Sequence, residues 1–202
     1  MSPDSFIQLA FQVAYYRIHG VVPPTYETAS LRKFDEGRTE NIRLPNSQTA
    51  KFCLMMNDKF RPFSELYEQL QAAITSHKNY TLDCMNGSGM DRHLLAWGLL
   101  ASEAGLPTPS ILDTEVYKKM KHFQVSTSQV PTRHFIQMCF GPSEDDCYGI
   151  CYNPQEKEFH FTITTFKHFP STSSKRFAKE LEKALNDLRA ICAKGQKEKA
   201  KL

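Results

Sequence analysis

The feature that most limits how this chain can fold is a change of period partway along it. Stretches 122–128, 134–140, 147–152 and 158–166 are rich in Phe, Val, Ile, Thr and Tyr, and Pro131, Gly141-Pro142 and Asn153-Pro154 separate them. β-branched and aromatic runs bounded by turn formers read as strands, the last two as a hairpin or near neighbours. On both sides of this stretch, apolar residues recur at steps of three and four, the period of a helix with one buried face.

The first helix has its signals in order. Ser2 caps it, Pro3 suits the first turn, Asp4 suits the positive end of the dipole, and Gly20 can close it. Its apolar residues are Phe6, Leu9, Ala10, Val13 and Ile18. A second helix is expected from Ser47 to Met56, and a third on Phe63, Leu66, Tyr67, Leu70, Ala73 and Ile74. Asn86-Gly87-Ser88-Gly89 reads as a break. The run Leu94, Leu95, Trp97, Leu99, Leu100 follows, ending near Gly105-Leu106-Pro107, and a short helix is expected near Asp113–Met120. After Pro170 and a Ser/Thr cluster comes a long final helix striped by Phe177, Leu181, Ala184, Leu185, Leu188 and Ile191. Thr25 to Arg43 is polar and charged, with a turn signal at Gly37. Helices, then strands, then a helix describe an α/β or α+β layered domain. Residues 1–193 form one unit in this reading, and Lys-rich 194–202 a solvated tail.

Composition removes several function classes. A net charge of +3, spread along 202 residues, argues against a nucleic-acid partner. No apolar run approaches the roughly 18 residues of a membrane span. Met1-Ser2-Pro3-Asp4 lacks the basic start of a secretory signal. The six cysteines are Cys53, Cys84, Cys139, Cys147, Cys151 and Cys192. Their spacing fits no zinc or redox motif, so no metal is expected and free buried thiols in a reducing compartment are.

Read residue by residue, the chemistry stays open. The seven histidines, His19, His77, His93, His122, His134, His160 and His168, show no catalytic spacing and read as surface or packing residues. Ser126-Thr127-Ser128-Gln129 is either turn chemistry or a set of donors for a developing oxyanion. Tyr26–Arg32 and Gly37–Arg43 combine hydroxyls with charged groups, which suits either an anionic ligand or a salt-bridged surface. Asp91 suits a helix start, and Arg92 beside it reads as a surface arginine or a ligand reader.

In order along the chain, Ser-Pro-Asp, Ala-Tyr-Tyr-Arg, Thr-Tyr-Glu-Thr-Ala-Ser-Leu-Arg, Gly-Arg-Thr-Glu-Asn-Ile-Arg, Asp-Arg-His-Leu-Leu, Ser-Thr-Ser-Gln-Val-Pro and Tyr-Gly-Ile-Cys-Tyr-Asn-Pro resemble the choline/carnitine acyltransferase family from residue 2 to about 192. The resemblance implies a mixed β-sheet flanked by helices. It also implies acyl transfer between coenzyme A, a co-substrate that is not permanently bound, and a hydroxyl on a quaternary ammonium compound.

Carried over position by position, Tyr26, Thr39 and Arg92 match the residues that hold the carboxylate of carnitine. Thr28 matches a neighbouring substrate contact, Ser128 the serine supporting the reacting oxygen, and Phe140 an aromatic near the trimethylammonium group. Ser2, Asp4, Gln129 and Lys78 match coenzyme A contacts. Thr39 and Arg92 stand where choline-using members resemble Gly-Arg-Val and Asp-Asn-His, which favours carnitine, because a guanidinium pairs with a carboxylate and asparagine does not. Met138 matches the bulky residue that closes the acyl pocket in acetyl-transferring members.

The family's general-base histidine lies upstream of Ser-Pro-Asp. No residue here matches it, so an amino-terminal half-domain is expected as partner and the chain alone is expected to be inactive. Two further readings are a non-catalytic carnitine-binding or regulatory fragment and a choline acetyl-transferring relative. The terminal Ala200-Lys201-Leu202 is close to a peroxisomal address. Peroxisome or mitochondrial matrix, otherwise cytoplasm, is the expected location.

Overall fold

The computed structural model describes residues 1–58, 60–134 and 136–199. Its elements in chain order are α1 (Pro3–His19), β1 (Thr25–Ser30), β2 (Thr39–Leu44), α2 (Ser47–Met55), α3 (Phe63–Met85), α4 (Asp91–Glu103), a 3-10 turn (Ser110–Asp113), α5 (Glu115–Lys121), β3 (Val125–Gln129), β4 (Tyr148–Pro154), β5 (Phe159–Thr164) and α6 (Ser174–Lys199). The five strands form one mixed sheet in the order β2-β1-β3-β4-β5. β1, β3 and β4 run parallel, while β2 and β5 lie antiparallel at the two edges. The expected α/β class with a long carboxy-terminal helix holds.

α1 starts as the sequence predicts. The Ser2 hydroxyl accepts from the Ser5 amide at 3.3 Å, and Gly20 closes the helix in the left-handed region at φ 75°. The helix is buried between the sheet and α6, with Ile7, Leu9, Ala10, Phe11, Val13 and Ala14 all inside. Two of its glutamines are buried as well, which calls for partners. The Gln8 amide donates to Thr127 Oγ1 at 2.9 Å and to the Tyr152 hydroxyl at 3.1 Å. Gln12 donates to Thr25 Oγ1 at 2.5 Å. These bonds fix α1 on the sheet at a set register. The stripe of α6 closes the core: Phe177, Leu181, Ala184, Leu188 and Ile191 are buried against α1 and α3.

Four expectations change. The polar stretch 25–43 is the hairpin of β1 and β2, with Gly37 in its turn. Its alternation was hidden because both faces carry polar groups: Glu27 and Glu40 are buried on one, while Tyr26, Thr28, Thr39 and Asn41 stand on the other. The stretch 134–140 is not a strand at its described residues, and Phe135 lies outside them. Both sides of β4 are already taken by β3 and β5, so residues 136–140 lie across the sheet instead, beside Cys151, Asn153, His160 and Thr162. Residues 194–199 continue α6: Gln196 donates to the Tyr67 hydroxyl at 3.0 Å, and Glu198 accepts from the Ser64 amide at 2.9 Å. Finally, all six thiols are free, but Cys139 is exposed and Cys192 half-buried. Among the described residues, no helix is long and apolar enough to cross a membrane.

α4 forms where the apolar run predicts it, yet it buries only Asp91 and Ala101. It packs on β2 and leaves Leu95, Trp97, Leu99 and Leu100 between 45% and 62% exposed.

Candidate functional site

Side chains alternate across a sheet, so every strand sends half its residues to each face. One face carries Thr25, Glu27, Ala29, Val125, Thr127, Ile150 and Tyr152 and packs on the helices. The other stays open and polar. Tyr26, Thr28 and Ser30 of β1 stand there opposite Arg43, Asn41 and Thr39 of β2. Ser126 is the neighbour of Tyr26 on β3, and Ser128 follows beside Cys151.

Five of the predicted acceptor residues meet on or beside this open face. The Thr28 hydroxyl donates to the Tyr26 hydroxyl at 3.0 Å. Arg92 reaches β2 from the first turn of α4. Its Nε donates to the Thr39 carbonyl at 2.9 Å, and its Nη2 donates to Thr39 Oγ1 at 3.2 Å and Asn41 Oδ1 at 3.3 Å. All three acceptors are neutral, and among the described residues Arg92 forms no ion pair. Glu40 accepts from the Arg92 amide instead, closing the start of a helix whose own N-cap side chain makes no bond. Phe140 completes the set. Its ring lies on Gly149, where an added Cβ would stand 3.1 Å from Phe140 Cε2 and 2.5 Å from Thr164 Oγ1. Thr164 also donates to the Phe140 carbonyl at 2.7 Å. Ser128 and Met138 lie further along, both exposed, with Met138 lining a narrow crevice over Cys151, His160 and Thr162.

The predicted cofactor residues gather elsewhere. Ser2 is occupied as the cap of α1. Asp4 accepts from the Tyr152 hydroxyl at 2.5 Å, and Tyr152 is the register partner of Gln129. Lys78 is the exposed neighbour of His77 on α3. Sequence reasoning missed the group that joins these positions. His77 is buried, with Nε2 2.8 Å from Glu27 Oε2 and Nδ1 2.8 Å from Ser5 Oγ. Asp4, Glu27 and His77 bring one ligand atom each within 4.8 Å of one another, but both ring nitrogens of His77 are already engaged by protein groups. Burial pushes the Glu27 carboxyl up to about 7, against the pull of its bond to His77. Burial alone would lower His77, yet the bond and charge of Glu27 and the charge of Asp4 leave it raised. The available signal was helical spacing, since His77 continues the stripe of Leu70, Ala73 and Ile74.

A broad groove between β5 and α6, lined by Phe159, Phe161, Ile163, Leu181 and Leu185, carries none of the predicted residues.

Known proteins share sequence with this chain over nearly its whole length. The family described as choline/carnitine O-acyltransferase matches residues 1–183. The chain belongs to that family of acyltransferases. It is 42% identical over 199 residues to carnitine O-acetyltransferase of Columba livia, covering 98% of this chain and 32% of that protein. It is 42% identical over 191 residues to the rat carnitine O-acetyltransferase, covering 95% and 30%. Against choline O-acetyltransferase of Gallus gallus the identity is 40% over 202 residues, covering 99% and 32%. The chain thus spans about a third of the length of these relatives.

Proposed function

We propose that the chain is the carnitine-binding portion of an acetyl-transferring carnitine acyltransferase. One observation carries the reading. A guanidinium without an acidic partner among the described residues is held by neutral acceptors on Thr39 and Asn41, on the same sheet face as the Tyr26–Thr28 hydroxyl pair. A cation and hydroxyls on one sheet face suit a carboxylate, and choline has none.

In this reading, Tyr26, Thr39 and Arg92 hold the carboxylate and Thr28 supports Tyr26. The face of Phe140 attracts the trimethylammonium group. Ser128 donates to the oxygen on which charge develops, and Met138 limits the acyl chain to a short one. Coenzyme A, a co-substrate rather than a resident group, contacts Ser2, Asp4, Lys78 and Gln129. The proton is taken by a histidine supplied from outside these 202 residues. The exposed apolar side of α4 supports a covering partner domain. The peroxisomal address at 200–202, outside the described residues, and a mitochondrial location belong to the same proposal.

The near-equal identity to choline O-acetyltransferases keeps a choline-using relative as the second reading. A purely carnitine-binding role is the third. Assay of the purified chain with acetyl-CoA and carnitine tests the catalytic part, and no turnover above background is expected. Turnover would overturn the proposal of an external base. It would direct substitution to His160, which shares the open face with Ser128 and lies 3.0 Å from Glu158.

A further inference from the structure

We propose that Arg43 is a positioning residue for the acceptor carboxylate: it holds Asp91 so that Arg92 stays free of an acidic partner, and it steadies the ring of Tyr26 from the opposite strand. The inference rests on the carnitine reading of the open face and extends it to a residue that does not itself touch the ligand.

Two guanidiniums and one buried aspartate lie along β2, Arg92 at Thr39 and Asn41 and the Arg43–Asp91 pair nearer the strand's end. Asp91 is only 7% exposed, so its charge needs a partner. Arg43 supplies it. Its Nε and Nη2 donate to Asp91 Oδ1 at 3.0 and 2.6 Å, and its Nη1 donates to the Met120 carbonyl at the end of α5. The other oxygen of Asp91 accepts from the Asn41 amide, and Asn41 Oδ1 in turn accepts from Arg92. Asp91 and the Arg92 guanidinium are therefore one amide apart, and the pairing that would neutralise Arg92 is taken up by Arg43 instead. This division leaves one cation for an external carboxylate.

The same guanidinium reaches the other side of the clamp. Arg43 is the register partner of Tyr26 across the hairpin. Its guanidinium carbon lies 4.8 Å from the centroid of Phe123, and the Phe123 ring meets Tyr26 edge-on at 5.3 Å. A planar cation can serve a carboxylate at its edge and an aromatic ring at its face at once, which a lysine does less well.

Calorimetry of the full chain with L-carnitine and with choline tests this. Arg43→Met leaves Asp91 to turn to Arg92, so carnitine affinity is expected to fall on the order of tenfold while choline affinity is unchanged. Adding Asp91→Asn removes the competing acid, and the double variant is expected to recover carnitine binding relative to Arg43→Met. A merely structural arginine gives no such recovery and no change in the carnitine-to-choline ratio. Either outcome, in a variant with wild-type circular dichroism, overturns the inference.

The Arg92 Nε–H resonance provides a readout that needs no ligand. It is expected to shift in Arg43→Met and to return in the double variant. If wild type binds no carnitine but this shift occurs, the carnitine reading fails and the positioning relationship stands. If the resonance is unmoved, the positioning relationship fails. Should Arg43→Met not fold, Arg43→Lys keeps the charge without the fork, and an intermediate carnitine-to-choline ratio is expected. A wild-type ratio there would count against the proposal.

Discussion

Arg92 Nη2 lies 3.2 Å from Thr39 Oγ1, and its Nε donates to the carbonyl of the same threonine at 2.9 Å. The two residues are thus one unit, a charged fork seated on a strand start. Units of this kind show non-additive substitutions. Thr39→Val and Arg92→Asn are each expected to weaken carnitine binding by about tenfold. The pair together should cost clearly less than the product of the two losses. Titration of the four proteins checks it, and strict additivity would mean that Thr39 and Arg92 act apart.

The buried pair of Glu27 and His77 gives the fold a pH dependence of definite sign. Both groups hold their protons more tightly folded than unfolded. For Glu27 the contribution is full below its ordinary value of 4.5 and is lost as pH rises through about 7. For His77 it is full below 6.5 and is lost as pH rises through its raised folded value. Both push stability down as pH rises over this window. Thermal melts between about pH 5 and pH 8 should show a downward trend in wild type that is flatter in Glu27→Gln. Equal slopes would show that the pair does not titrate with folding.

Gly149 keeps the open face flat under Phe140. An alanine there would bring Cβ to 2.5 Å from Thr164 Oγ1 and 3.1 Å from the Phe140 ring. Such overpacking costs about 1–3 kcal/mol, so Gly149→Ala should lower the melting temperature. It should also weaken binding of the ammonium group in carnitine and choline alike. An unchanged melt and unchanged binding would contradict this placement of Phe140.

Leu188 is fully buried between α6 and its neighbours. Leu188→Ala is expected to cost about 2–5 kcal/mol in chemical denaturation, with no change in the carnitine-to-choline ratio. A cost below about 1 kcal/mol would mean that α6 is not part of the core.

The sequence made the helices legible because each buries one stripe. Phe177 to Ile191 and Leu66 to Ile74 show the helical period directly. β1 and β2 were not legible, because a strand that buries Glu27 on one face and presents Tyr26 and Thr28 on the other has no apolar alternation. The stretch 134–140 has the composition of a strand, but pairing depends on a free strand edge: the expected hairpin with β5 fills one side of β4, and sequence does not say that β3 fills the other. For the site, ordered motifs supplied Tyr26, Thr39 and Arg92, which the fold brings to one face or its edge. The contacts Arg43–Asp91 and Glu27–His77 join residues 48 and 50 positions apart, a separation at which no spacing rule applies.

The most direct measurement is a side-by-side titration of L-carnitine and choline into the chain and its Arg92→Asn variant. Carnitine is expected to bind wild type more tightly than choline, and the variant is expected to lose that preference. Equal affinities in wild type, or a preference that survives Arg92→Asn, would contradict the assignment of the open face to a carboxylate-bearing acceptor.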